Sequence, residues 1–159
     1  MRSKWTFTQT SIVPASAAAV WERAVTAEGI NDEMRPWMTM SLPRSISHLT
    51  IDNVEVGRPL GRAWLRLFGV APFDFDHLMI ARVEPGRRFV EESTMVSMRS
   101  WGHDRIVEPV SDGQCRVTDR VTLEPRLPLR LLGPVLARVV QAFFAHRHRR
   151  LARPFAPDS

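Results

Sequence analysis

The chain has 159 residues, 44% hydrophobic and 25% charged, a composition that fits a soluble globular protein and excludes disordered and collagen-like classes. The length suggests one domain over residues 1–159 with room for a real core. The formal net charge of +5 comes from 22 basic against 17 acidic residues, and Lys4 is the sole lysine, so the excess is carried by arginine.

Trp5 to Val13 alternates partially and is rich in Thr, Ile and Val, which predicts a strand ended by Pro14. Ser16 is placed to cap a helix over Ala17 to Val25, and Gly29 supplies its stop. Ile30 to Met34 adds one or two further turns before Pro36, giving two short helices after the first strand. Trp37 to Pro43 holds a tryptophan and two methionines without clear period. It predicts either a loop tucked on the core or a wall or lid of an apolar cavity, since methionine adapts to irregular apolar surfaces.

From Leu60 the period becomes two. Ala63, Leu65 and Leu67 share one face and Arg62, Trp64 and Arg66 the other, so the first set points inward. In Phe73 to Val83, Phe73, Phe75, His77 and Met79 alternate with Asp74, Asp76, Leu78 and Ile80, and Phe75, His77 and Met79 are assigned to the interior. Glu84-Pro85-Gly86-Arg87 is a turn signal. A three-residue connection there puts Phe89, Glu91, Ser93 and Met95 of the returning strand on the face of Phe75, His77 and Met79.

Trp101 to Val107 and Cys115 to Leu123 flank Ser111-Asp112-Gly113. A two-residue Asp-Gly turn would set Arg105 opposite Arg120, which like-charge repulsion disfavours. A three-residue loop with Gly113 left-handed instead pairs Val107 with Val117, Arg105 with Asp119, His103 with Val121 and Trp101 with Leu123. One face then carries Trp101, Val107, Val117, Val121 and Leu123 together with His103, Arg105 and Asp119.

The last element runs from Pro134 to Arg153, with a proline in its first turn where a missing N–H costs nothing. Steps of about 100° place Leu136, Val139, Val140, Phe143, Phe144 and Leu151 on one arc and Arg138, Gln141, Ala145, His148 and Arg149 opposite. Arg147 falls in the middle of the apolar arc and points at the sheet. Arginine is rarely buried unpaired, which leaves two expectations. Either its stem covers apolar surface while the guanidinium reaches water, or it meets an inward carboxylate, Glu91 or Asp119.

A run of strands with helices segregated to one side argues for an α+β fold, an antiparallel sheet of about six to seven strands curved around the final helix. The segments GINDEMRPWM after the first helix, PFDFDHL and EPGRRFVEES in mid-sheet, WGHDR, VTDRV and the closing HRHRRL give a chain that resembles the START-like superfamily, often called SRPBCC, from about Trp5 to Arg153. That resemblance implies a helix-grip fold, in which the sheet wraps the long C-terminal helix and encloses a deep apolar cavity. Members carry lipids, sterols, hormones or polyketides, and a minority, such as polyketide cyclases, catalyse reactions in the cavity. It transfers no catalytic residue to this sequence.

The expected function is therefore binding or carriage of a hydrophobic small molecule of lipid, polyketide or aromatic type. The expected contacts are Trp37, Met40, Phe75, His77, Met79, Glu91, Met95, Trp101, His103, Arg105, Asp119, Phe143 and Arg147. The alternative is a cyclase or dehydratase-like enzyme using the inward His, Glu and Asp groups as acids and bases. Gly57, Gly61 and Gly69 do not form a phosphate loop, and the serines lack an elbow motif. His146 and His148 point about 200° apart on a helix, so they cannot share a metal. No metal and no cofactor are expected.

The remaining expectations concern compartment and partners. No apolar run reaches the roughly 18 residues of a membrane span, and MRSKWTFTQT has no signal-peptide apolar region, which points to the cytoplasm. Cys115, the single cysteine, cannot form an internal disulfide and suits a reducing compartment. An isoelectric point near 11.0 raises the question of nucleic acid. The densest basic cluster, His146 to Arg150, sits at a helix C-terminus where cations oppose the macrodipole. No aromatic platform or recognition helix accompanies it, so nucleic acid is not an expected partner.

Overall fold

A computed structural model describes residues 2–157. Strand β1 is Trp5–Val13, followed by α1 (Ala17–Ala24), α2 (Ala27–Met34) and the short strand β2 (Met38–Ser41). Then come β3 (Pro59–Leu67), β4 (Ala71–Glu84), β5 (Arg88–Met95), β6 (Met98–Ser111), β7 (Gln114–Pro125) and the long helix α3 (Gly133–Ala152). The seven strands form one antiparallel sheet in the order β1-β7-β6-β5-β4-β3-β2, which curls into a half-barrel around α3. This is the α+β helix-grip arrangement. Among the described residues no helix is long and apolar enough to cross a membrane.

Local chemistry sets the boundaries of the elements. Ser16 caps α1 by accepting from the Ala19 N–H at 3.2 Å. Gly29 does not end this helix as expected; it lies inside α2, which Thr26 caps by accepting from Gly29 N–H at 3.0 Å. The glycine is needed for close approach, because a Cβ there would sit 1.9 Å from the Arg23 carbonyl oxygen. At the start of α3, Gly133 meets the Trp5 indole, and a Cβ would fall 2.0 Å from that ring. Trp37 to Pro43 is not simply a loop, since Met38–Ser41 is an edge strand paired with β3. Asn31 on α2 holds it by bonding both the N–H and the C=O of Met40, at 2.7 and 3.0 Å.

Two register shifts decide which side chains face α3. The β6–β7 pairing is the expected one, with Val107 opposite Val117, Arg105 opposite Asp119, His103 opposite Val121 and Trp101 opposite Leu123. Its cause differs. Ser111 pairs with Gln114 across a two-residue Asp112-Gly113 turn, Gly113 is not left-handed, and a bulge between Pro109 and Ser111 supplies the extra residue.

In the β4–β5 hairpin the three-residue loop is present, with Glu84 opposite Arg88, but a bulge between Ile80 and Arg82 then pairs Ile80 with Glu91. One inserted residue moves every side chain beyond it to the other face. Asp74, Asp76, Leu78 and Ile80 therefore point inward beside Phe89, Glu91, Ser93 and Met95. Phe75, His77 and Met79, assigned inward from the sequence, lie instead on the outer face of the sheet. There Phe75 packs edge-on against Trp64 and His77, at centroid distances of 5.1 and 5.0 Å, beneath the Arg62 guanidinium.

Helix α3 departs from its expected arc in two places. Val139 is 60% exposed although it was assigned to the arc facing the sheet, and His148 is buried although it was assigned to the solvent side. Helix α3 packs against β1, α2 and β7, with Leu136, Ala137, Val140 and Phe143 half-buried on the cluster that holds Trp5 and Val121, and Phe144, Arg147, His148 and Leu151 buried. Val13, Val20, Trp21, Val117 and Leu151 close one end of the core, and Ile46, Leu78 and Ile80 line the wall under β4.

Candidate functional site: an apolar cavity with a buried charge cluster behind it

Between α3 and the concave face lies a cavity of about 790 Å³. The curl of the sheet makes the space, and Leu136, Val139, Val140 and Phe143 of α3 border it. Its walls are Met34 from α2, Met38 and Met40 from β2, Leu65 from β3, Leu78 from β4 and Met95 from β5, closed by Trp101, Phe143 and Phe144. Of the residues singled out in the sequence, Trp37, Met40, Glu91, Met95, Trp101, His103, Phe143 and Arg147 border this space. Trp37 is 53% exposed and stands at its mouth. Arg105 and Asp119 are fully buried behind the wall and do not reach it, and Phe75, His77 and Met79 face away from it.

Behind the wall, five elements meet in one cluster of charge. Arg105 on β6 donates from Nε and Nη2 to the two oxygens of Asp119 on β7, both at 2.7 Å. Its Nη1 and Nη2 also reach Glu33 on α2, at 2.9 and 2.8 Å. His103 Nε2 and His148 Nε2 each lie 2.7 Å from an Asp119 oxygen, so both rings carry their proton on Nε2. His148 Nδ1 is hydrogen-bonded to the Ser11 hydroxyl on β1, 2.6 Å away. Arg147 on α3 donates from Nε to Glu33 at 3.3 Å, and its guanidinium lies 4.8 Å over the Phe144 ring. The partner of Arg147 is thus Glu33, not the Glu91 or Asp119 expected from the sequence.

Burial would raise the Asp119 carboxyl, yet Arg105 and His103 outweigh it and hold Asp119 well below the usual carboxylate range. Burial works against the Arg105 charge too, but Asp119 and Glu33 raise Arg105 well above its ordinary value. In His103 burial prevails over Asp119, with Arg147 and Arg105 adding to it, so its pKa is lowered and the ring is neutral near pH 7. Such a cluster joins sheet and helices. Breaking one buried pair typically costs about 3 to 5 kcal/mol.

Three carboxyls on the cavity wall behave differently from this cluster. Asp74 accepts from Phe75 N–H, Val96 N–H and the Ser97 N–H and hydroxyl, so it is fully occupied in holding the β5–β6 turn. Asp76 Oδ1 and Glu91 Oε2 are buried with no donor partner. Burial, opposed by Ser93 and Glu91, pushes Asp76 up to about 7. Burial and the neighbouring Asp76 carboxyl drive Glu91 well above its ordinary value, against Arg147 and Trp101.

The sequence reading missed Asp76 and Glu33. Asp76 was hidden by the bulge, which no periodicity reports. Glu33 was visible in principle, since Gly29, Ile30, Glu33 and Met34 form one helix face and that face is the buried one.

Structures of similar shape share this architecture at low sequence identity. A protein from Chromobacterium violaceum is 12% identical, with 96% of this chain and 98% of that one covered and a TM-score of 0.72. A START superfamily protein from Mycobacterium smegmatis is 12% identical, covering 94% and 96% of the two chains with a TM-score of 0.66. An aromatase/cyclase from Streptomyces sp. R1128 is 16% identical, covering 96% and 97% with a TM-score of 0.60. No curated protein sequence matches this chain. The model of one sequence family spans residues 11–155, and the chain, START-like in fold, belongs to that family, described as domain of unknown function DUF8410.

Proposed function

We propose that the protein binds and carries a hydrophobic small molecule, of lipid, polyketide or aromatic type, between α3 and the sheet. The observation that carries this reading is the cavity itself, about 790 Å³ and walled by methionine, leucine and aromatic side chains with few polar groups. Ligand sites in proteins occupy roughly 300 to 1,000 Å³ with the same balance of lining. Burial is worth about 0.8 kcal/mol per methylene, so a ligand with about ten of them gains on the order of 8 kcal/mol before association costs, enough for micromolar affinity. Residues 1–159 are read as one ligand-binding domain. The free, buried Cys115 accords with action in a reducing compartment such as the cytoplasm.

The test is a panel of fatty acids, sterols and polyphenols, read by melting temperature and tryptophan fluorescence, since Trp37 and Trp101 border the cavity. The expected result is a rise in melting temperature with at least one class. Silence across all classes in both signals would overturn the reading. A second reading, a cyclase or dehydratase-like enzyme, is favoured by one observation: Asp76, Glu91 and His103 border the same space and could move protons. Mass spectrometry of the ligand after incubation separates the two, because a carrier returns it unchanged.

A further inference from the structure

Most of the cavity wall is apolar, and among the polar groups that border it are Asp76 and Glu91, on the neighbouring strands β4 and β5. Both are buried, and each has one oxygen without a donor. Asp74, two residues before Asp76, shows by contrast what a structural carboxylate looks like here, with every nearby backbone and hydroxyl donor aimed at it. Burial raises both carboxyls, Asp76 to about 7 and Glu91 well above its ordinary value, which favours the protonated form that can donate a hydrogen bond. Buried polar groups without partners are uncommon in folded proteins and call for an explanation.

We propose that Asp76 and Glu91 together form the polar end of the ligand site and receive the neutral carbonyl or hydroxyl oxygen of a hydrophobic ligand. This inference rests on the reading of the cavity as a small-molecule site and names the class of molecule. A neutral oxygen accepts a hydrogen bond from a protonated carboxyl, and a ligand hydroxyl can also donate to an orphaned oxygen. A carboxylate ligand fits poorly. It would face Asp76, Glu91 and Asp74 together; of the two arginines that border the cavity, Arg147 is already bonded to Glu33 and stacked on Phe144, and Arg149 is exposed. An ammonium ligand would favour the ionised carboxyls, with their protons passing to solvent, and burial on this wall opposes that ionisation.

The groups facing the pair are Asp74 on its own strand β4, Ser93 on β5, Trp101 and His103 on β6, and Arg147 on α3. Burial keeps the His103 ring neutral near pH 7, so the ionisation that changes near neutral pH is that of Asp76, pushed up to about 7. Above that point Asp76 is ionised and has no proton to give, while burial and the Asp76 carboxyl hold Glu91 well above its ordinary value. Binding of a neutral oxygen then weakens.

Displacement of the uncharged dye Nile red tests this with three probes of one shape: 2-acetonaphthone, 2-naphthoate and 2-naphthylmethylammonium. At about pH 5.5 the ketone is expected to bind wild type at least about tenfold more tightly than either ion, the worth of one well-made buried hydrogen bond. Raising the pH to about 8.5 should weaken the ketone at least about fivefold, although the ketone itself does not titrate. In Asp76→Asn/Glu91→Gln the pH dependence should vanish while Nile red still binds, since the amides keep donors and shape. The proposal is overturned if either ion matches the ketone, if ketone binding is flat with pH in wild type, or if the double variant keeps the wild-type pH profile. Should the variant fail to fold, the wild-type arms decide alone. Nile red binding without discrimination among the probes sinks this inference and leaves the cavity reading standing, whereas no Nile red binding to wild type sinks both.

Discussion

At the scale of single residues the molecule holds two kinds of buried charge, and they pull its stability in opposite directions with pH. Asp76 binds its proton up to about 7 in the folded protein and only up to the ordinary 3.8 when unfolded, so folding takes up a proton between those values. Stability is therefore full at the acid end of that window and falls as pH rises through it, by about 4 kcal/mol at most for this group. Asp119, held low, behaves oppositely; its contribution is present above 3.8 and is lost as the solution becomes more acid. Asp76→Asn should thus flatten the fall in urea-unfolding free energy between about pH 5 and pH 8, gaining on wild type chiefly at the alkaline end. A variant whose stability tracks wild type in parallel across that range would show that Asp76 is ordinary. Arg147 yields a second prediction. Arg147→Met deletes its charge yet leaves Glu33 bonded twice to Arg105, so the loss should be about 1 to 3 kcal/mol. Arg105→Met leaves Asp119 with only the two imidazoles and Glu33 with only Arg147, and should cost about 3 to 5 kcal/mol or more. Urea unfolding of both variants checks that order.

At the scale of elements, what the sequence showed depended on whether chemistry or periodicity had to decide. The β6–β7 register was legible because placing Arg105 against Asp119 and away from Arg120 is a statement about charge, and the chain satisfies it even by a different turn. The inward face of β4 was not legible. Phe73, Phe75 and Met79 are the more apolar set, and only the bulge after Ile80 turns them to solvent and brings two aspartates inside. Burying a carboxyl breaks the hydrophobic pattern, which is why the pattern misled at the residues with the most chemical potential. The C-terminal end of α3 shows the same principle for a basic run. Arg147 and His148 are spent inside the cluster, Arg150 bonds Asp32 on α2 at 2.9 Å, and His146 lies 2.8 Å from the Arg35 carbonyl. Of His146 to Arg150 only Arg149 is left exposed, so the run offers no continuous stripe to a phosphate backbone. Binding to duplex DNA or RNA should accordingly be weak and collapse as salt rises to about 200 mM. Sequence-selective binding that survives such salt in a fluorescence-anisotropy titration would contradict this.

At the scale of the whole molecule the two halves of α3 have different jobs, and their stabilities should differ. From Phe144 to Leu151 the helix is locked by the Glu33–Arg105–Asp119 cluster and by close packing on Val117 and Trp21. From Gly133 to Gln141 it borders the open cavity, and Val135 and Val139 are 59% and 60% exposed. Few buried contacts support that first half, so without ligand it should open at a lower free energy than the second. Backbone amides of the N-terminal half should then exchange hydrogen for deuterium faster than those of Phe144 to Leu151, which exchange only with global unfolding. A ligand that fills the cavity adds apolar neighbours to Leu136, Val140 and Phe143, which are only half-buried and border it, and it binds the closed form alone. Protection of the first half should therefore rise with ligand concentration, by about 2.7 kcal/mol at a hundredfold excess over Kd. The second half should gain protection only as far as global stability rises. Uniform exchange along α3 in the ligand-free protein, or protection confined to the C-terminal half on ligand binding, would mean that the cavity does not govern the motion of this helix.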